Sequence, residues 1–384
     1  MRLINRTLDG IEPPIGSLER YLPDRLDERP LLDVSQGAPG YPTAPEVIER
    51  IRAVAADPDG GRYTPPVGLP ALREAVAADL SAGYEAPLEA QDVLVTAGGN
   101  QAFCTTVSAL TAAGDNVVMS VPYYFNHDMW IHLDQLEARY VPTGDDMVVR
   151  AADVEAAIDD RTRVIALVSP ANPTGAEMSP ELIAALADIA RDRGIVLMLD
   201  ETYRVFRDAP GPPHDLFSRS DWREYFVSLH SYSKDLAIPG YRVGAAIGAP
   251  QLLSQALKLM DCMAICAPRV GQEAVIAGLT EAGDWRRARA LEVIGKRRRF
   301  SDMMADEPGG FRLRSAGAFY GWVEPPAGIG DSAEVARRLV VEAGIMPLPG
   351  TAFAPEDPGC LRFSYANLTD GEIDELGSRL RAFG

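Results

Sequence analysis

The sequence predicts an α/β chain: a layered domain on a mostly parallel sheet with helices on both faces, then a smaller α+β domain. Three observations predict it. Short, near-continuous apolar runs alternate with helical stretches from about residue 92 to residue 248, the pattern of parallel strands buried on both faces. Polar residues fall just past the carboxyl ends of four of those runs, where open α/β sheets bind their ligands. From about residue 250 the pattern changes to long helices, and from 311 to short strands alternating with helices, as in a second α+β unit. A chain of 384 residues, 47% of them hydrophobic, is long enough for this pair. The expected division is 1–44 as an N-terminal arm and part of the small domain, 45–275 as the large domain and 276–384 as the small one.

In order along the chain, residues 1–44 are rich in proline, glycine and charge with little periodicity, and read as an arm and irregular loops. Short helices follow over 45–55 and 69–81, the second entered through Tyr63-Thr64-Pro65-Pro66-Val67-Gly68. A β-rich run over 92–96 meets Gly98-Gly99, which opens a helix to about residue 112. Strands over 116–121 and 164–169, a Pro/Gly loop, a helix over 180–193 and a strand over 195–200 continue the alternation. Strands over 226–230 and 243–248 complete it. Helices over 251–265 and 271–282 lead into a long amphipathic helix over 285–303. The last part reads as strand 318–323, helix 332–343, strand 361–365 and helix 371–382.

Composition removes several function classes. A formal net charge of −18 argues against nucleic acid or an anionic membrane as partner. The N-terminus has no apolar signal core and no apolar run approaches membrane-spanning length, so a cytoplasmic protein is expected. The four cysteines suggest neither a disulfide framework nor a zinc site, and Cys262 and Cys266 read as packing on one helix face. The four histidines form no ligand pair at useful spacing, so no metal is expected. The Lys296-Arg297-Arg298-Arg299 run reads as a solvated helix face rather than a phosphate site.

The chemistry gathers at strand ends. The chain has only three lysines, Lys234, Lys258 and Lys296. The last two fall on predicted helices, where a solvated head is the ordinary reading. Lys234 instead follows an apolar strand, in Ser231-Tyr232-Ser233-Lys234, with Arg242 eight positions on. Arginine stays protonated, whereas a lysine of depressed pKa acts as nucleophile and base. Asp200 closes another strand, Asn172 follows a third in Ser169-Pro170-Ala171-Asn172-Pro173-Thr174-Gly175, and Gly98, Gly99 and Asn100 open a helix after a fourth. Each has a plain reading by itself: a helix cap, a rigid loop, a turn. Four strand ends offering a carboxylate, an amide, an amine and an anion-binding helix N-terminus are harder to assign to coincidence.

In this order, the loop at Asn172, the segment Asp200-Glu201-Thr202-Tyr203 and the segment 231–244 resemble the fold type I, pyridoxal-phosphate-dependent aminotransferases of class I and II. The likeness runs from Gly37 to Arg362. It implies a seven-stranded, mostly parallel sheet and pyridoxal 5'-phosphate as cofactor. It implies a ping-pong transfer of the α-amino group from an amino acid to a 2-oxo acid, through an internal aldimine on Lys234. Asp200 matches the acid that pairs with the pyridine nitrogen, and Asn172 and Tyr203 match the donors to the cofactor's phenolic oxygen. Tyr124 matches the aromatic stacked on the ring. Gly99, Asn100, Ser231, Ser233 and Arg242 match the phosphate cup. Tyr63 matches a tyrosine reaching the phosphate from a second subunit, which implies a homodimer with shared sites. Arg362 matches the clamp on the substrate α-carboxylate, and Gly37 the glycine beside the substrate.

These motifs belong to the cofactor and leave the fate of the substrate carbanion open. The alternative is a lyase or cyclase acting on a hydroxylated amino acid, one bearing a guanidino group included, in secondary metabolism. No residue presents itself as the partner of a distal carboxylate. His127 and Asp128, in Phe125-Asn126-His127-Asp128-Met129-Trp130, read either as caps of the following helix or as groups facing a polar or basic substrate side chain.

Overall fold

The computed structural model of the chain describes residues 4–8 and 10–383. Thirteen strands occur among them: β1 (Leu32–Asp33), β2 (Val93–Thr96), β3 (Asn116–Val121), β4 (Glu137–Pro142), β5 (Thr162–Val168), β6 (Val196–Asp200), β7 (Phe226–Ser231), β8 (Gly244–Ile247), β9 (Arg312–Gly317), β10 (Tyr320–Glu324), β11 (Ile345–Met346), β12 (Leu348–Pro349) and β13 (Leu361–Ser364). Seven of them form one sheet in the order β2-β8-β7-β6-β5-β3-β4. Every pairing in it is parallel except the two made by β8.

The apolar runs explain the centre of this sheet. Every residue of β2, β8 and the segment Phe226–His230 of β7 is buried. Separate cores lie on its two faces, one with Val95, Ile165, Leu197 and Phe226, the other with Val117, Ala166, Met198 and Val227. Burying each such aliphatic side chain contributes about 1.5–3 kcal/mol. Helix Pro180–Arg193 shows why its ends were legible: Ser179 Oγ accepts the Leu182 N–H, Pro180 sits in the first turn and Gly194 closes it in the left-handed region at φ +65.

The chain runs outward from β3 to β4, then returns to the other side of β3 for β5, β6 and β7. The direction switches between β3 and β5, and that opens a crevice at their carboxyl ends. β4 was not anticipated from sequence. It is an edge strand paired on one side only, and Glu137-Ala138-Arg139-Tyr140 leaves it half exposed.

The last third packs helices against the sheet β12-β13-β10-β9. Two short strands missed in sequence matter here. β1 pairs in parallel with β11 and carries Leu32 and Val34 into the core around Phe311, Trp322, Leu348 and Leu361. Part of the segment read as irregular arm therefore belongs to this core.

Two sequence expectations are corrected. Lys296 is not solvated: it is 7% exposed, its Nζ donates to the Ala366 carbonyl at 3.1 Å, and Glu292 lies 3.0 Å away. Helix Gly283–Ala305 buries Val293, Ile294 and Phe300 on either side of it, so the lysine points inward. Cys262 and Cys266 do not share a packed helix face: the helix ends at Ala264 and Cys262 is exposed. Among the described residues no helix is long and apolar enough to cross a membrane.

Candidate active site

A cavity of about 330 Å³ lies at the carboxyl ends of the sheet, within the usual size range for small-molecule pockets. Gly99, Asn100, Tyr124, Asn172, Asp200, Tyr203, Ser231, Ser233, Lys234 and Arg242 line it. Gly37 and Arg362 do not line it but each bonds to a residue that does, Gly37 to Lys234 and Arg362 to Asn172. Tyr63 is not brought to it and lies 76% exposed on the surface.

The anion-binding end is built from glycine. Gly98 precedes helix Gly99–Leu110 at φ +91, and a Cβ there would meet Arg242 Nη2 at 2.3 Å. A side chain at Gly98 would exclude the guanidinium from the helix entrance. The free N–H groups of the first turn and the Arg242 cation then address one place. Arg242 Nη1 donates to Ser233 Oγ at 3.3 Å and to the Pro239 carbonyl at 3.0 Å. The Ser231 hydroxyl accepts the Ser233 N–H at 3.4 Å.

At the opposite end Asp200 closes β6 and is buried. Its Oδ1 accepts the Thr202 N–H at 3.0 Å, and His127 Nε2 stands 3.4 Å from Oδ2. Burial alone would raise this carboxyl, but His127 and Thr202 outweigh it and hold it below its ordinary range. Neighbouring Glu201 turns away and accepts from Ser228 Oγ at 2.5 Å and His214 Nε2 at 3.2 Å, which anchors the segment from behind.

His127 corrects an expectation. Helix Phe125–Leu133 is entered from Tyr124 with no side-chain cap, so neither His127 nor Asp128 caps it. His127 stacks flat on Phe103 at 3.8 Å and aims at Asp200. Asp128 accepts from the Tyr140 hydroxyl at 2.6 Å, a partner on the unpredicted strand β4. Tyr124 sits at the mouth of the crevice, donates to Asn100 Oδ1 at 3.3 Å and accepts from Asn126 Nδ2 at 3.0 Å.

Lys234 leaves β7 on the short helical turn Tyr232–Asp235. Its Nζ donates to the Gly37 carbonyl at 2.5 Å. Burial first, then the cations Arg362 and Arg242, bring its pKa down to about 8, so roughly a tenth is neutral amine at pH 7 and about half at pH 8. The turn is anchored by Asp235, which pairs with Arg286 at 2.6 Å, while Arg286 also holds Asp79 at 2.7 Å.

Arg362 is a buried cation on β13, 2% exposed. Nη1 donates to Asn172 Oδ1 at 2.7 Å and Nη2 to the Ser35 carbonyl. Its guanidinium stacks on the rings of Tyr320 at 4.6 Å and Phe353 at 5.0 Å. Nε is buried without a partner, and Arg362 makes no ion pair among the described residues. A buried charge in that state marks a place for an anion. Because Arg362 occupies Oδ1 of Asn172, the amide Nδ2 is the group left to donate into the cavity.

Sequence reading missed four wall residues, Gln36, Val168, Thr202 and Pro239, all within a few positions of residues it did single out. It also missed Tyr320, whose hydroxyl lies 2.6 Å from that of Tyr203. Only the pairing of distant strands brings Tyr320 there, and nothing in the local sequence signals it.

The chain is similar to known proteins along nearly its whole length. The model of the class I and II aminotransferases matches residues 29–380. The aromatic aminotransferase ISS1 of Arabidopsis thaliana is 30% identical, over 99% of this chain and 95% of that protein. An aspartate aminotransferase of Streptomyces avermitilis is 32% identical, over 92% of this chain and 89% of its own length. The aspartate aminotransferase of Thermus thermophilus, solved with maleate, superposes with a TM-score of 0.90 at 26% identity, each chain covered completely.

Proposed function

The chain belongs to the class I and II aminotransferase family, and from that premise we propose which residues carry the transfer of an α-amino group from an amino acid to a 2-oxo acid. What supports the reading most is one juxtaposition. An amine brought down to about 8, a buried carboxylate and an anion-binding helix entrance line the same cavity.

The residues fit pyridoxal 5'-phosphate. Gly99, Asn100, Ser231, Ser233 and Arg242 would hold its phosphate, Asp200 its ring nitrogen, and Asn172 Nδ2 with the Tyr203 hydroxyl its phenolic oxygen. Tyr124 would cover the ring. When bound, the cofactor supplies an aldehyde that condenses with amines and a ring that accepts the electron pair released at the substrate Cα. Asp200, kept ionised by His127, holds the proton on the ring nitrogen. Arg362 clamps the α-carboxylate through its planar fork and so sets the Cα–H bond toward Lys234. Lys234 Nζ, unprotonated, then takes the Cα proton. The Gly37 carbonyl, accepting from Nζ, holds the free amine toward the cavity where the cofactor would enter.

We further infer a homodimer in which Tyr63 of a second copy completes the phosphate cup. Tyr63 is exposed, and its loop is held by the Gln272 Nε2 bond to Thr64 Oγ1 at 2.8 Å. The cytoplasm remains the expected location.

The test uses the protein with bound cofactor and one amino acid, without an acceptor. Formation of one 2-oxo acid per site, without ammonia, is the expected result. Repeated turnover with release of ammonia or water would favour the lyase or cyclase instead.

A further inference from the structure

We propose that Tyr320 is a positioning residue that joins the carboxylate clamp to the phenolic donor: its hydroxyl donates to Tyr203 while its ring carries Arg362. The inference rests on the functional reading above, in which Tyr203 donates to the cofactor's phenolic oxygen.

Tyr320 opens β10 and is 2% exposed. Its hydroxyl is 2.6 Å from the Tyr203 hydroxyl, with the two rings edge to face at 5.5 Å and 79°. The Arg362 guanidinium lies 4.6 Å above its ring. Its edge fills the space beside Gly37, where a Cβ would meet the Tyr320 hydroxyl at 2.0 Å. Gly37 in turn accepts from Lys234 Nζ. One phenol thus touches the groups assigned to the substrate carboxylate, to the cofactor's phenolic oxygen and to the orientation of the amine.

Proton counting sets the direction of the bond. A tyrosine hydroxyl has one proton. If Tyr203 gives its proton to the cofactor, it has none for Tyr320, so Tyr320 donates and Tyr203 accepts. Accepting that bond polarises the Tyr203 O–H and strengthens its donation, as in any hydrogen-bonded chain away from water. The ring acts separately: it offers a π-face to a guanidinium that has no carboxylate partner of its own. The charged groups facing the pair are Arg362 from β13, Asp200 from the end of β6 and Lys234 across Gly37, and Tyr320→Phe retains all three.

The two roles separate by substitution. Tyr320→Phe keeps the ring and removes the donor. It is expected to raise the pH midpoint of the bound cofactor's absorption change by roughly 0.2–0.6 unit, the relayed share of a charge-assisted hydrogen bond. The KM for the amino donor should stay within about twofold. Tyr320→Leu removes the ring as well and should raise that KM by about five- to thirtyfold. Tyr203→Phe should raise the midpoint further than Tyr320→Phe, and adding Tyr320→Phe to it should change nothing more. A Tyr320→Phe midpoint within about 0.1 unit of the parent, or a shift that persists in full on the Tyr203→Phe background, overturns the proposal. If Tyr320→Leu does not fold, the Phe cycle decides alone, with thermal melts confirming that those variants are intact. A parent protein that takes up no pyridoxal phosphate would overturn the functional reading itself, and this inference with it.

Discussion

Replacing Arg362 with methionine separates a binding role from a packing role. The side chain is buried, donates to Asn172 Oδ1 at 2.7 Å and to the Ser35 carbonyl, and has no carboxylate partner among the described residues. If its anion is the substrate, removing the fork costs what truncating a buried ion pair costs, about 3–5 kcal/mol. At 1.36 kcal/mol per decade that is roughly a 160- to 5,000-fold loss in kcat/KM, mostly through KM. Stability should move far less. Two orphaned acceptors cost about 1–3 kcal/mol each, while relieving an unpaired buried cation returns several kcal/mol. A net change within about 2 kcal/mol is expected. Steady-state kinetics with an amino donor and urea unfolding of the same preparation measure both. A kcat/KM within tenfold of the parent, together with a large loss of stability, would show that Arg362 is a packing residue and refute the clamp.

Lys234 carries a pH signature. Its folded pKa of about 8 lies below the ordinary value of 10.5, so capture of pyridoxal phosphate by the apoprotein should accelerate as pH rises through about 8 and then level off. Between those two values the unfolded chain binds more protons at this site than the folded one, so this lysine's contribution to stability rises with pH across that window. An acceleration that begins only near pH 10 would contradict the burial argument. Arg286→Ala leaves Asp235 without its cation, while Arg204 still holds Asp79, and should cost about 3–5 kcal/mol in denaturant unfolding; a loss under 1 kcal/mol would show that network to be screened. Mixed refolding of Tyr63→Phe with Lys234→Ala should regenerate activity in hybrid dimers, each with one intact site. No recovery would sink the shared site.

What the sequence disclosed followed from burial. Strands buried on both faces are written as apolar runs, so β2, β3 and β5 to β8 were legible, and with them the residues just beyond their ends. Asp200, Asn172 and Lys234 needed no tertiary information to be placed at one edge of a sheet. β4 escaped because an edge strand faces water and carries Glu137 and Arg139. The partner of His127, which the sequence did single out, and Tyr320 altogether escaped for another reason: each contact runs across the sequence, His127 to Asp200 and Tyr320 to Tyr203, and local pattern says nothing about such meetings. Lys296 misled because helix position alone does not say which face is covered. The contact with Ala366, 70 positions away, decides that.

The most direct test of the account is to load the protein with pyridoxal phosphate, reduce it with borohydride and map the labelled peptide. One label per chain is expected, on Lys234, and none on a Lys234→Ala variant. A label on Lys258 or Lys296, or one that survives the substitution, would contradict it.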